Sequence, residues 1–440
     1  MNQLPSSDCS RADLDRIQAE GMHALFAEIL PGHRFYARKL AQAGLSPSRL
    51  RFPEDLSALP FTTKAELLVA QINQPPHGEL ISEPFERYVR MHQTSGTSGR
   101  PLRWFDTARS WSLLLDCWLE LFRLGGITAA DRLFFPFSFG PFLGFWSAFE
   151  AGERLGCLCL PGGGMSTSAR LRFLLDNQPT VVFCTPTYAL RMLEVASQEG
   201  IDLTEAGVRA LVVAGEPGGS VPATRQRIQT GWNARVFDHN GMTETGPLGF
   251  ECLEAPGGLH LLETAVLAEV IHPQTGQPVP AGTPGELVIT SFRRTASPLI
   301  RYRTGDIVCV DPDPCRCGRS LVRLLGGIRS RVDDMIVIRG NNLHPVALQT
   351  ILHRFSELAE YLVEVDTSSS LAELRIRVEP VPGADGNVLA ANIERAIRSE
   401  LLFRADVQAV APGSLPRAEM KARRWLRFSA SGTGSETSRS

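Results

Sequence analysis

Short apolar runs alternate with amphipathic segments between residues 131 and 215, and this alternation limits the fold more than any other feature of the chain. The apolar runs cover 132–137, 180–183 and 210–214. The amphipathic segments cover 141–150, 168–175 and 187–198. Short strands joined by helices in this way are typical of a largely parallel sheet. The sequence therefore predicts an α/β fold.

Two later regions have different patterns. Gly and Pro turns separate strand-like runs and predict a β-rich subdomain, with strands over 267–271, 285–290 and 306–310. The pattern after 331 predicts a small α+β domain, with helices over 345–358 and 387–401 and strands over 361–365, 373–378 and 407–410. We predict a large N-terminal domain over 1–331, a small mobile C-terminal domain over 332–428 and a disordered tail over 429–440, which is rich in Ser, Gly and Thr.

Charge and cysteine content exclude several classes of protein. The 440 residues include 45 Lys and Arg against 47 Asp and Glu, so the net charge of −2 gives no footprint for nucleic acid. No uncharged apolar run reaches the ~18 residues of a membrane span, and the N-terminus lacks the pattern of a signal peptide. The nine cysteines, an odd number, argue against a disulfide framework. We expect a cytoplasmic protein that binds small molecules.

The clearest motif is a loop rich in glycine and hydroxyl side chains between two strand-like stretches. Its sequence is Thr94-Ser95-Gly96-Thr97-Ser98-Gly99-Arg100-Pro101. Glycines let the backbone approach a ligand closely, and hydroxyl and backbone N–H groups can cradle phosphate oxygens. The loop lacks the Gly-Lys-Ser/Thr ending of a Walker loop. From composition alone, a phosphate cradle and a flexible hairpin are both open.

Three more segments carry groups that suit a nucleotide. The segment 238–246 offers the Thr243 hydroxyl and the Glu244 carboxylate, which suits Mg²⁺ beside phosphates, although a polar turn is the alternative. Asp306 begins a strand-like run and suits paired ribose hydroxyls, whereas the alternative is an ion pair with a neighbouring arginine. Lys421 lies near the C-terminus, where a lone lysine is more often solvated.

In this order, and together with Leu59-Pro60-Phe61-Thr62-Thr63-Lys64 and Gly215-Glu216-Pro217, these segments resemble the adenylate-forming superfamily, and most closely the phenylacetate–CoA ligase family. The resemblance implies that ATP and Mg²⁺ activate a carboxylic acid, expected to be aromatic and phenylacetate-like, to an acyl adenylate that is transferred to the thiol of CoA. Two alternatives stay open. The acceptor is a carrier protein or another nucleophile, or the chain is a non-catalytic nucleotide-binding homologue, which Asn240 favours because the family usually has an adenine-stacking aromatic residue there.

The resemblance also implies a role for each motif residue. Lys421 would bridge the carboxylate and the α-phosphate, Thr243 would contact the α-phosphate, and Glu244 would hold Mg²⁺. The C-terminal domain would turn on a hinge at Asp333. The implied nucleotide-binding residues are Thr94, Ser95, Gly96, Thr97, Ser98 and Gly99 for the pyrophosphate part of ATP, Glu216 and Asp238 for adenine, and Asp306 and Arg331 for ribose.

An acyl pocket is implied by the same resemblance. Phe137 and Phe139 lie in a segment that aligns with a Tyr/Gly-rich stretch near the acyl site of those ligases, and their rings suit an aromatic substrate. The alternative is core packing, because the chain has 22 Phe. Lys64 would gate the site, and its alternative is a solvated helix start.

Four residues of the β-rich region have side chains that suit zinc. Three thiolates and one imidazole, from Cys252, His260, Cys315 and Cys317, would complete a tetrahedral structural Zn²⁺ site, and related ligases often carry Cys and His at these places. The spacing is not an established zinc pattern. Buried thiols are the alternative, since Cys157 also begins a Cys-x-Cys within an apolar run.

Overall fold

The protein is described by a computed structural model over residues 4–30, 32–46, 49–94, 100–332, 336–338, 341–343, 345–366, 373–401, 403–417 and 424–428. The helices are α1 (Arg11–Ile29), α2 (Arg34–Gln42), α3 (Lys64–Ile72), α4 (Ala108–Leu124), α5 (Trp146–Leu155), α6 (Thr167–Asn177), α7 (Pro186–Gln198), α8 (Pro222–Trp232), α9 (Pro345–Leu352) and α10 (Gly386–Leu401). The strands are β1 (Tyr88–Gln93), β2 (Arg103–Thr107), β3 (Arg132–Phe135), β4 (Leu158–Pro161), β5 (Val181–Cys184), β6 (Ala210–Val213), β7 (Arg235–Met242), β8 (Gly246–Phe250), β9 (Gly258–Leu261), β10 (Val266–Ile271), β11 (Pro284–Ser291), β12 (Leu299–Cys309), β13 (Arg323–Leu325), β14 (Ser330–Arg331), β15 (Ile336–Ile338), β16 (Asn341–Leu343), β17 (Leu358–Asp366), β18 (Glu373–Pro380), β19 (Asp406–Ala409) and β20 (Trp425–Phe428).

An eight-stranded sheet runs through the large domain in the order β13-β9-β8-β7-β6-β5-β3-β4. The strands from β7 to β4 pair in parallel, and β8, β9 and β13 continue the sheet in antiparallel pairs. Phe183 and Val212 pack with α4 and α5 in one core, whereas Val182 and Leu211 pack with α6, α7 and α8 in another. Burial on both faces accounts for the continuous apolar runs. The predicted α/β fold is confirmed.

The helix predicted over 141–150 exists, but its predicted bounds lie five residues too early, because α5 covers Trp146–Leu155. Helix α5 begins only at Trp146, and residues 136–145 form a loop. Gly144 has a φ of +44°, in the left-handed region that interrupts a right-handed helix. The Gln93 N–H donates to the carbonyl of Pro141 at 2.7 Å, which holds this loop against the end of β1. A tertiary contact therefore overrides the helical pattern.

The β-rich region forms a four-stranded antiparallel sheet in the order β10-β11-β12-β14. Residues of the N-terminal helices, including Phe26 and Tyr36, pack against Phe292 and Ile300 of this region in a further core. Strands β1 and β2 form an antiparallel hairpin at the two sides of the glycine-rich loop. The sheet and the hairpin together surround the segments that the sequence singles out.

The small domain has its own core, with a mixed sheet in the order β19-β18-β17-β20 and helices α9 and α10. The helix predicted to reach residue 358 is too long, because α9 ends at Leu352 and β17 begins at Leu358. Strand β20 was not predicted, and it pairs in parallel with β17. Within the ranges given above, no helix has the length and apolar character needed to cross a membrane. The domain limits stay a prediction, and the tail lies outside the described residues.

Candidate active site

Strand β12 holds the start of helix α3, which carries Lys64, against the β-rich region. Thr62 forms a parallel bridge opposite Tyr302, through backbone hydrogen bonds of 2.8 and 2.9 Å. The bridge fixes the start of α3, where Thr63 and Glu66 form a capping box. Lys64 is the first residue of α3, so the bridge and the cap together hold its backbone beside β12.

Glu244 is a buried carboxylate with a cation beside it. Its side chain is 9% exposed, and Oε1 lies 3.3 Å from Nζ of Lys64. The Tyr302 hydroxyl also contacts this carboxylate, and burial, followed by the charge of Glu244, raises the pKa of Tyr302 well above its usual value. Tyr302 therefore stays a neutral donor. A carboxylate that already holds an ammonium group has the chemistry to hold a divalent cation.

A fully buried ion pair supports the backbone of Thr243 and Glu244. Arg294 and Asp106 are both 0% exposed, with Nε to Oδ1 at 3.0 Å and a second bond from Nη2 to Oδ2. Nη1 of Arg294 donates to the carbonyl of Thr243 at 2.5 Å and to that of Glu244 at 3.1 Å. Asp106 lies on β2, so the pair joins the glycine-rich hairpin to the Thr243–Glu244 segment. Sequence reasoning missed both residues.

The predicted ribose residues lie on paired strands. Asp306 of β12 is opposite Arg331 of β14, and Nη1 of Arg331 lies 2.8 Å from Oδ1 of Asp306. Gly305 has a φ of +77°, and a Cβ there would lie 3.0 Å from Nη2 of Arg331. Glycine therefore lets the guanidinium lie close to the strand. The pair presents one carboxylate and one cation at the same place.

A cavity of about 130 Å³ lies between the large domain and α9. Asp238 and Ser220 line it from the large domain, and Val346 and Thr350 line it from α9. Ser220 Oγ donates to Asp238 Oδ2, and the N–H of Asp238 donates to Glu251 at 2.9 Å. Burial raises the pKa of Asp238 to about 7. This carboxyl group therefore changes its charge close to neutral pH.

Glu216 is next in sequence to a residue that lines this cavity, but its own carboxylate binds the N-terminus of a helix. Its Oε1 accepts the N–H of Thr187 at 2.7 Å, in the first turn of α7. A carboxylate is favourable there because it meets the positive end of the helix dipole. Pro217, the next residue, lines the cavity. The predicted adenine residues Glu216 and Asp238 therefore lie on adjoining segments.

Thr94 closes the base of the glycine-rich loop. Its N–H donates to the carbonyl of Leu102 at 2.9 Å, and its Oγ1 accepts the N–H of Leu102 at 3.1 Å. The other predicted residues of this loop, Ser95, Gly96, Thr97, Ser98 and Gly99, lie outside the described residues. The predicted hinge Asp333 and the predicted catalytic Lys421 also lie outside them.

Phe137 and Phe139 belong to a cluster of aromatic rings. Their centroids are 5.4 Å apart with the rings perpendicular, and Phe139 also lies 4.7 Å from Trp146 and 5.4 Å from Phe149. Phe137 is 8% exposed and belongs to the core around α4, whereas Phe139 is half-buried. Edge-on contacts of this kind favour aromatic neighbours. The role of both rings in an acyl pocket stays a prediction.

Asn240 is the residue at which this motif differs from the family pattern given above. It lies on β7 opposite Gly249 of β8, and its side chain is half-buried. In the described part of the chain, its Oδ1 is buried without a hydrogen-bond partner. The preceding strand residue, His239, is buried against Trp118, with ring centroids 4.4 Å apart.

Cys252, His260, Cys315 and Cys317 form one cluster, with all four ligand atoms within 4.8 Å of one another. The two sulfurs of Cys252 and Cys315 are 3.9 Å apart, and Cys317 Sγ lies 3.4 Å from His260 Nε2. A tetrahedral zinc with bonds of about 2.3 Å to sulfur requires a sulfur–sulfur distance of about 3.8 Å. His260 Nδ1 faces the carbonyl of Leu321 at 3.4 Å, which leaves Nε2 for a metal. The cluster therefore has the geometry to bind a metal.

Comparisons with known proteins agree with this arrangement. The AMP-binding enzyme family matches residues 75–293, and the C-terminal domain of AMP-binding enzymes matches residues 340–426. The chain is 31% identical to the phenylacetate–coenzyme A ligase of Thermus thermophilus, over 93% of this chain and 95% of that protein. It is 30% identical to the phenylacetate–coenzyme A ligase of Escherichia coli, over 95% of each protein.

The fold is also similar to solved structures of 2-hydroxyisobutyryl-CoA ligase. In the postadenylation state in complex with R3-HIB-AMP, that enzyme matches with a TM-score of 0.90 at 28% identity, over 96% of this chain and 91% of that one. In the thioesterification state in complex with 2-HIB-AMP and CoA, it matches with a TM-score of 0.73 at 29% identity, over the same shares, 96% and 91%.

Proposed function

Because the chain belongs to the AMP-binding, adenylate-forming enzymes, and is an ATP-dependent acyl-CoA ligase that works through an acyl adenylate, we propose that its acid is an arylacetic acid similar to phenylacetate. The observation that carries this proposal is the match, over almost the full length of both chains, to phenylacetate ligases. The aromatic rings around Phe139 support it, because they suit the flat face of an aryl group.

The first step joins the acid to the nucleotide. A carboxylate oxygen of the acid attacks the α-phosphorus of ATP, the bond from that phosphorus to the bridging oxygen breaks, and pyrophosphate leaves. Both reactants are anionic, so one positioned cation that meets the developing charge contributes about 10²–10³-fold to the rate. We assign this role to Lys421 and the contact with the α-phosphate to Thr243.

The second step transfers the acyl group. The sulfur of CoA attacks the acyl carbon, the bond from that carbon to the phosphate oxygen breaks, AMP leaves, and the thiol proton is released. A single rigid site cannot hold a lysine and a thiol in the same space, so we propose that the C-terminal domain turns at Asp333 between the two steps. CoA is the acceptor in this proposal.

The remaining residues bind the nucleotide. We propose that adenine enters the cavity beside Asp238 and Glu216, and that the ribose is bound by Asp306 and Arg331. Glu244 would hold Mg²⁺, which offsets the charge of the phosphates. Three observations support these roles: the burial of Glu244, the ion pair of Asp306 with Arg331, and the position of Asp238 at the cavity. The glycine-rich loop from Thr94 to Gly99 would bind the pyrophosphate part of ATP.

Lys64 is the second lysine of the proposed site. Its ammonium group lies on the carboxylate of Glu244, the proposed Mg²⁺ ligand, and its backbone is fixed by the start of α3. We propose that it contacts the substrates at the gate of the acyl pocket, which Phe137 and Phe139 would wall.

The cysteine cluster has a separate role. We propose that Cys252, His260, Cys315 and Cys317 hold a structural Zn²⁺, because three thiols and one imidazole fill all four positions and leave none for a substrate. Zinc would tie the loop that carries the last two cysteines to strand β9.

The experiment measures pyrophosphate release and CoA-thioester formation with ATP and Mg²⁺, over a panel of arylacetic, benzoic and alkanoic acids. Phenylacetate should give fast release and a thioester of the expected mass. Fast release with alkanoic acids alone would contradict the proposed acid class. Release without a thioester would contradict CoA as the acceptor.

The composition offers matched controls for the lysine roles. The chain has only three lysines, Lys39, Lys64 and Lys421, against 42 arginines. Arginine keeps the charge but not the compact ammonium group. Lys421→Arg should lower pyrophosphate release by about 10²-fold or more. Lys39→Arg should leave it unchanged, because Lys39 pairs with Glu66 and arginine can form the same pair. Equal rates for the two variants would exclude the role of Lys421.

A further inference from the structure

Two arginines of the C-terminal domain contact one helix of the large domain. Nε of Arg417 lies 3.4 Å from Glu194 Oε1, and Nη1 of Arg424 donates to Thr187 Oγ1 at 3.2 Å. Both acceptors are on α7. They are seven residues apart, which is two turns or about 10.5 Å along one face of the helix. In sequence, the two arginines enclose the segment 418–423.

Each arginine is also bound by a carboxylate of its own domain. Arg417 forms two bonds with Glu379, of 3.0 and 2.5 Å, and Glu379 is 2% exposed. Arg424 forms two bonds with Glu360, of 2.6 and 3.0 Å, and lies over the ring of Tyr361 at 4.9 Å. Two-point pairing with a carboxylate fixes the plane of a guanidinium. One N–H group of each arginine is therefore directed at the large domain by a rigid support.

The contact on α7 is next to the proposed adenine residues. The N–H of Thr187 is bound by Glu216, while the hydroxyl of the same Thr187 accepts from Arg424. Gln349 of α9 also donates to the carbonyl of Pro217 at 3.4 Å, and Thr224 of α8 is hydrogen-bonded to a buried histidine directly after α9. The C-terminal domain is therefore seated on the segments that border the cavity.

The orientation of the two domains matches one state of a related enzyme better than another. The TM-score is 0.90 with 2-hydroxyisobutyryl-CoA ligase in the postadenylation state and 0.73 with the same enzyme in the thioesterification state. The identity and the covered shares are almost the same in the two comparisons. The contacts on α7 therefore belong to an orientation similar to that of the postadenylation state.

Building on the proposed function, in which the C-terminal domain turns between the two steps, we propose that Thr187 and Glu194 form a docking edge on α7 that holds this domain in the orientation it has before the turn, in which the acyl adenylate is formed. Arg417 and Arg424 are the positioning residues that bind this edge. They contact neither the acid nor the nucleotide in this proposal. The docking edge must be released before the domain turns, so it stabilises the first step of the reaction and not the second.

The first test changes only the large domain, so that the pairs inside the C-terminal domain stay intact. The double variant Thr187→Val, Glu194→Gln removes the hydroxyl that accepts from Arg424 and the negative charge that pairs with Arg417. Phenylacetate-dependent pyrophosphate release without CoA should fall about 5- to 30-fold, since one hydrogen bond to a charged donor and one ion pair are lost. Single-turnover thioester formation from phenylacetyl adenylate and CoA should stay close to wild type. Glu199→Gln is the matched control, because Glu199 also lies at α7 but pairs with Arg172 of the same domain.

Equal losses in the two half-reactions, or no loss in either, would overturn the proposal. Arg424→Lys should recover part of the pyrophosphate release that Arg424→Gln loses, because the ammonium group can still donate to Thr187. Unchanged circular dichroism would verify that each variant is folded. If these residues only maintained the fold, the substitutions would lower pyrophosphate release and thioester formation together. Arg424→Lys would then not restore pyrophosphate release alone.

Hydrogen exchange gives a readout that does not need a substrate acid. With the α,β-methylene analogue of ATP, the amides of α7 should be protected in the wild-type protein and less protected in the double variant. Equal protection would contradict docking on α7. If the wild-type protein releases no pyrophosphate with any acid, the proposed function fails, whereas the exchange experiment still decides whether the arginines hold the domain on this helix.

Discussion

The substitution Arg294→Met removes a charge that the large domain buries completely. Arg294 and Asp106 are both 0% exposed and share two hydrogen bonds, and Arg294 also donates to the carbonyls of Thr243 and Glu244. Methionine fills a similar space but leaves the Asp106 carboxylate unpaired. Removing one partner of a buried pair costs about 3–5 kcal/mol. At roughly 2 °C per kcal/mol for a large domain, the unfolding midpoint should fall by about 6–10 °C.

Scanning calorimetry of the full chain measures this shift. The double variant Asp106→Leu, Arg294→Met is the control, because it leaves no charge unpaired and should recover most of the loss. The folded Arg294→Met protein should also have a higher KM for MgATP, by about 5- to 10-fold, since the backbone of Thr243 and Glu244 loses its donors. A single variant as stable as wild type, or a double variant no more stable than the single, would refute the reasoning.

Three shorter predictions concern other parts of the site. Burial raises the pKa of Asp238 to about 7, so its contribution to stability decreases as pH rises from about 4 to 7 and is constant above that. If ionised Asp238 accepts from adenine, the KM for ATP should fall as pH rises through about 7, and Asp238→Asn should abolish that dependence in steady-state assays. Cys317→Ser should remove bound zinc, measured by mass spectrometry of the metal, and lower the unfolding midpoint by on the order of 5 °C, whereas Cys9→Ser should do neither. Gly305→Ala should cost about 1–2 kcal/mol by denaturant unfolding and raise the KM for ATP, because φ is positive and the new Cβ meets Arg331.

The parallel core was predictable because its signal is local and repeated. Strands β3, β5 and β6 are buried on both faces, so each reads as a continuous apolar run, and the segments between them have helical spacing. The adenylate-forming family was predictable because its motifs contain residues that the chemistry requires. Both signals depend on neighbours in sequence, which is the information that a single chain provides.

The errors arise where contacts distant in sequence decide the structure. The apolar segment that begins at Pro141 has a helical composition, but its carbonyl is bound by Gln93, which is 48 positions earlier in the chain. Strand β20 has only four residues, and its partner β17 lies about sixty residues before it. Neither contact is visible in the local pattern, so propensity gives the wrong answer at both places.

The supporting residues of the site were missed for the same reason. Arg294 follows Arg293 at the end of a strand pattern, and nothing near it in sequence indicates that one guanidinium is fully buried. Its partner Asp106 is 188 positions away. Tyr302 reads as an ordinary strand residue, although its hydroxyl contacts Glu244. A motif identifies groups that touch a ligand, whereas the groups that position them are identified only by the fold.

The use of arginine and lysine separates these two kinds of residue. Arginine forms the supports: Arg294 and Arg424 each hold a carboxylate through two bonds and keep further N–H groups for carbonyl or hydroxyl oxygens. A planar fork suits this task because its geometry is fixed. Lysine is almost absent from the chain, and two of its three lysines, Lys64 and Lys421, are at proposed reaction positions. A compact ammonium group on a flexible stem suits a charge that must follow reacting oxygens. Lysine therefore suits the two proposed reaction positions better than the rigid fork of arginine.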